Sequence, residues 1–119
     1  MSTFPKNLIV DLSFDFALSI IDYTELLVEK KKFNMANQLF RAGTSIGANV
    51  NEAQNCESRA DFIHKMKVAA KEAEETKYWL TLCSKSKWYL NPPNEALEQL
   101  NVMIKVLTKI IATSKQAKA

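Results

Sequence analysis

Residues 39–55, LFRAGTSIGANVNEAQN, hold both glycines of the chain, Gly43 and Gly47, four apart in a segment whose apolar residues recur at helical spacing. An interior glycine costs a helix about 1 kcal/mol relative to alanine. A helix carrying two therefore needs a compensating contact, and close approach of another helix supplies one. Ala42, Ser45, Ala48 and Ala53 keep the same segment thin, while Arg41, Thr44, Ser45, Asn49, Asn51 and Glu52 place polar groups among the small ones. The segment reads as the middle of a long helix that packs closely on a neighbour, with a polar network or a site on its flank.

The rest of the chain extends this reading. There are three prolines, Pro5, Pro92 and Pro93, none inside a periodic segment, so long uninterrupted helices are expected. From Asp11, expected as an N-cap, to about Lys31, Phe14, Ala17, Leu18, Ile21 and Val28 recur at helical spacing beside Phe16, Ile20, Tyr23 and Leu27. These cover an arc of roughly 220°, where a surface helix needs little more than about 100°. Helix 1 is thus expected to be covered on two sides, by its own core and by another subunit.

Lys30, Lys31 and Lys32 close helix 1, where cations suit the negative end of the helix dipole. Asn34 is then expected to cap helix 2, with Leu39, Ala42, Ile46, Val50 and Ala53 as its core line. Ser58 and Asp61 form a capping box for helix 3, whose core face is Phe62, Ile63, Met66, Ala69, Ala70, Ala73, Leu80 and Cys83. Its small middle matches the thin middle of helix 2, so these two helices are expected to pack closely and antiparallel. Asn91 or Asn94 caps helix 4, which buries Ala96, Leu97, Leu100, Met103, Ile104, Leu107, Ile110 and Ile111. No strand signal or repeat is present. The pattern predicts an all-α, antiparallel up-down-up-down four-helix bundle over residues 11–112, with a lead-in at 1–10 and a frayed tail at 113–119.

Composition narrows the function classes. With 119 residues, the chain can bury one core. A net charge of +3 permits an anionic partner without requiring one. Cys56 and Cys83 are isolated thiols without metal-type spacing and read as reduced, which suits the cytoplasm, with Cys83 in the core. No apolar run approaches a membrane span.

The candidate site residues fall in two groups. Arg41, Ser45, Asn49 and Glu52 on helix 2 and Glu72 and Glu75 on helix 3 could meet in an antiparallel pair, as a buried or subunit-bridging network that fixes helix register. A buried charge is tolerated when paired, and Arg41 with these carboxylates supplies pairs. A di-iron site wants Glu-x-x-His on each of two helices. The single histidine, His64, has Asp61 three residues before it and falls with Lys67, Lys71 and Tyr78 on the outer face of helix 3. No metal, cofactor or small-molecule substrate is indicated; Cys83 and His64 lie about five turns apart on one helix, too far for a thiol–base pair, and Ser45 and Ser58 have no histidine within reach.

The second group follows from topology. In an up-down bundle the first and third connections share an end, which gathers Lys30, Lys31, Lys32, Lys85 and Lys87 with Trp88 and Tyr89. Lysines beside exposed aromatics suit phosphate contact with base stacking, making RNA or DNA the partner to test. The same residues have a plainer use, with the aromatics lidding the core and the lysines capping helix C-termini.

Leu39, Arg41, Ser45, Ile46, Asn49 and Glu52, followed by Ser58, Asp61, Phe62, Ala69, Glu75 and Leu80, resemble the motif of the family named after intervening sequences in 23S ribosomal RNA genes. The SFDFAL opening of helix 1 and the ETKYWL stretch of helix 3 are similar to it too, and the likeness spans Asp11 to Ile111. Ala53 departs from it, standing where many members have glycine. The resemblance implies a four-helix bundle without enzymatic activity that forms a homo-oligomer, a pentameric ring being the expected pattern. A related group, the accessory proteins of diversity-generating retroelements, binds nucleic acid. The competing expectation is a protein-binding or scaffolding oligomer.

Overall fold

The computed structural model describes residues 7–116, and four helices account for nearly all of them: α1 (Leu8–Glu29), α2 (Phe33–Ala53), α3 (Arg59–Lys85) and α4 (Asn94–Gln116). Each packs on its neighbours in the order α1–α2–α3–α4–α1, so α1 and α3 occupy opposite corners. Neighbours run in opposite directions. Gly43 lies against Ile20 and Gly47 against Ser13, while Arg41 reaches Glu72 and Glu75 and Glu52 reaches Lys65. One core runs the length of the bundle, built on Phe16, Ile20, Leu27, Leu39, Ile46, Met66, Leu80, Leu100, Met103 and Leu107.

Several helix ends depart from the sequence expectation. Helix α1 begins at Leu8, with Asn7 in the N-cap position but giving no side-chain cap, so Asp11 stands in its first turn; the remaining lead-in, 1–6, lies outside the described residues. Helix α2 begins at Phe33, and Asn34 is inside it rather than capping it. The cause is the tight connection. Lys32 N–H donates to the Leu27 carbonyl and Lys31 N–H to that of Val28, with Lys31 at φ 62°. This is the Schellman arrangement, which reverses the chain within three residues and usually places glycine where Lys31 stands. The Ser58 cap holds as expected, accepting from Asp61 N–H. Helix α4 runs on to Gln116, through most of the segment expected to fray.

The glycines serve a different neighbour from the one expected. A Cβ on Gly43 would stand 2.8 Å from Ile20 Cγ1, and one on Gly47 3.4 Å from the Ser13 carbonyl oxygen. Both contacts are on α1, not α3. On α1, Phe16, Ile20, Tyr23 and Leu27 are buried, whereas Phe14, Leu18, Ile21 and Val28 are exposed. With Phe33 and Phe40 of α2, also exposed, they leave an apolar outer face on the α1–α2 pair.

Candidate nucleic-acid interface

The first and third connections do share one end of the bundle. There Lys30, Lys32, Lys87, Trp88, Tyr89 and Leu90 line a concavity of about 230 Å³. Lys30 follows the last turn of α1 and Lys32 precedes the first turn of α2, so the Schellman turn sets their spacing. Lys32 Nζ stands 5.9 Å from the Tyr89 ring centre and Lys87 Nζ 5.2 Å from that of Trp88. Trp88 is 69% exposed, an aromatic face open to solvent. Lys31 and Lys85 are exposed at the same end but do not line the concavity.

The connection is held from beneath. Ser86 N–H donates to the Leu82 carbonyl, Ser86 Oγ accepts from Trp88 N–H at 3.1 Å, and Pro92 is buried. The Tyr23 hydroxyl donates to the Leu90 carbonyl. Burial pushes the Tyr23 phenol far above its ordinary range, with Cys83 and Tyr89 alongside adding to the shift. Burial also raises the Cys83 thiol, partly offset by the adjacent Tyr23 hydroxyl. The phenol therefore stays protonated and keeps its donor. Neither Tyr23 nor Leu90 was expected at this site. Nothing local in the sequence ties residue 23 to residue 90; only the fold brings them together.

The polar group on α2 and α3 resolves differently. Arg41 pairs with Glu72 at 3.4 Å and with Glu75, whose Oε2 also accepts from Trp79 Nε1 at 3.1 Å. Glu52 pairs with Lys65 at 2.6 Å, some three turns away. Ser45 Oγ donates to the Arg41 carbonyl and Asn49 Nδ2 to the Ser45 carbonyl, bonds confined to α2. Arg41 is 51% exposed, so within one chain this is not a buried network but three surface ion pairs joining adjacent helices. His64 is exposed, and no group of three or more potential metal ligands occurs among the described residues. Among them, no helix is long and apolar enough to cross a membrane.

Residues 6–113 match the profile of the 23S rRNA-intervening sequence proteins. The chain belongs to that family. Its fold is similar to that of a solved protein of unknown function from the S23 ribosomal protein family of Bacteroides thetaiotaomicron, with 40% identity and a TM-score of 0.81 over 87% of this chain and 97% of that one. No curated protein matches the chain. Membership fits the bundle and spans all four helices. The motif positions Leu39, Ile46 and Leu80 are core, whereas Arg41, Glu52 and Glu75 lie in the surface pairs between α2 and α3.

Proposed function

We propose that this protein acts by binding rather than catalysis, as a self-assembling bundle whose lysine-rich end contacts nucleic acid in the cytoplasm. The observation that carries the reading is the concavity itself. Three lysines and an open indole face one small space, where ammonium groups can take phosphates while a base stacks on Trp88. Stacking of a base on an aromatic contributes about 1–3 kcal/mol, and each neutralised phosphate adds to the salt dependence. Unpaired strands fit this arrangement, because their bases are free to reach Trp88. Assembly would repeat the site around the particle, so weak single sites would act together.

Replacing Lys30, Lys32 and Lys87 by Glu tests the reading. Affinity for a single-stranded RNA or DNA oligomer should fall at least tenfold, and the remaining affinity should depend less steeply on salt. Equal binding by the variant and the unchanged protein would refute it.

A second reading, a protein-binding or scaffolding oligomer, is favoured by one observation. The outer face of α1 and α2 exposes Phe14, Leu18, Ile21, Phe33 and Phe40 together. Contiguous apolar surface of this kind marks protein contact. The two readings meet if that face joins subunits while the lysine-rich end stays free; a homo-oligomer, a pentamer by family resemblance, is the form expected.

A further inference from the structure

The charges of this bundle are not scattered evenly. Helix α1 carries Asp11, Asp15, Asp22, Glu25 and Glu29 and no basic residue. Stepped at 100° per residue, Asp11, Asp15, Asp22 and Glu29 fall in one row beside the exposed stripe of Phe14, Leu18 and Ile21. Helix α3, at the opposite corner, presents Lys67, Lys71 and Lys85 in one outward row with Tyr78, 58% exposed, and Leu82, 39% exposed, alongside. Glu74 is the carboxylate exposed next to them. None of these charged residues forms an ion pair among the described residues. Lys115 of α4 stands beside Lys67, whose hydrogen bond and like charge hold the Lys115 ammonium below its usual pKa, so that end of the row concentrates positive charge with no ion-pair partner among the described residues.

The two rows also share a spacing. Acidic positions 11, 15, 22 and 29 are separated by four, seven and seven residues, and so are 67, 71, 78 and 85. Their heights agree. The contacts of Ile20 with Gly43 and Ser13 with Gly47 fix α1 against α2, and those of Arg41 with Glu72 and Glu75 and of Glu52 with Lys65 fix α2 against α3. Carried across, Asp11 lies level with Lys67, Asp15 with Lys71, Asp22 with Tyr78 and Glu29 with Lys85, to within about two residues or ~3 Å along the axis.

We infer that a second copy of this chain docks its basic α3 row, with Tyr78 and Leu82, onto the acidic row and apolar stripe of α1, head to tail. This rests on the reading that the chain self-assembles, and it names the surfaces that meet. Two corners of one bundle cannot touch each other, but a copy turned about an axis parallel to the helices brings one to the other. Equal heights mean no slip along that axis. A head-to-tail contact with no rise keeps successive copies at one level, as a closed ring requires. Apolar side chains supply the burial and the charge rows set register and exclude the wrong pairing. A two-fold contact of α1 on α1 would bury the same apolar stripe but oppose carboxylate to carboxylate. Lys85 is used here for assembly, while Lys30, Lys32 and Lys87 remain at the concavity.

The test is a charge exchange read by light-scattering mass, with circular dichroism to confirm that each variant keeps its helix content. Asp15→Lys and Lys71→Glu should each reduce the mass toward that of a single chain, and the double variant should restore it. In the unchanged protein, zero-length carboxyl–amine cross-linking should join Asp11 or Asp15 of one chain to Lys67 or Lys71 of another. Unchanged mass in both single variants would overturn the assignment of these faces while leaving self-assembly standing. Dissociation of both without recovery in the double variant would overturn the Asp15–Lys71 pairing. A single-chain mass for the unchanged protein at all concentrations would overturn the self-assembly reading itself, and this inference with it.

Discussion

Lys31 occupies a backbone conformation that suits glycine, at φ 62°. A side chain in the left-handed region costs about 1–2 kcal/mol, part of which glycine gives back as unfolded-state entropy. Lys31→Gly should therefore raise stability by roughly 0.5–1 kcal/mol, visible as a higher melting temperature. If Lys31 contacts phosphate, the same change should weaken RNA binding. The two glycines make a sharper contrast. Alanine at 43 gains helix propensity of about 1 kcal/mol but drives its Cβ into Ile20, which is fully packed, and overpacking of that kind costs about 1–3 kcal/mol. Alanine at 47 meets only ordinary contact distances. Gly43→Ala should lower the melting temperature and Gly47→Ala should raise it slightly. The sequence marks both glycines as sites of close approach, but not against which helix. That depends on their angle around α2, where the alanine and serine positions beside them offered an equally thin side.

At the scale of elements, the connection between α3 and α4 is pinned to α1 by Tyr23. Tyr23→Phe removes one hydrogen bond, a loss of about 0.5–1.5 kcal/mol, and should loosen residues 86–90 in amide exchange before it affects the helices. The pH dependence has a definite sign. The folded state raises the Tyr23 phenol above its ordinary value near 10, so this contribution is complete at lower pH and is lost as pH climbs above that value. Alkaline unfolding should begin there, and the Phe variant should show a shallower decline. Helix number, core lines on α2 and α4 and the Ser58 cap were all legible because each rests on local period or cap chemistry. The core face of α1 was less so. Phe14–Leu18–Ile21 and Phe16–Ile20–Leu27 have the same period and similar bulk, and only the position of α2 and α4 decides which is inside. Arg41 was legible as the partner of Glu72 and Glu75 across α2 and α3, but its exposure was not, since helix register does not report depth, and Lys65 was not anticipated as the partner of Glu52.

For the whole molecule, the decisive arrangement is of charge on a plain bundle. Acidic α1 and basic α3 stand at opposite corners, and the lysine-rich concavity lies at one end, clear of both rows except for Lys85. A particle assembled through the corners would hold its ends in common, so several concavities would face the same way. The salt dependence of single-stranded RNA binding tests this most directly. Binding to one chain alone can neutralise no more than the five lysines at that end, for a slope of log affinity against log salt of about −3.5. With an RNA long enough to span neighbouring subunits, a slope steeper than that value is predicted. Absent binding, or binding indifferent to salt, would contradict the account.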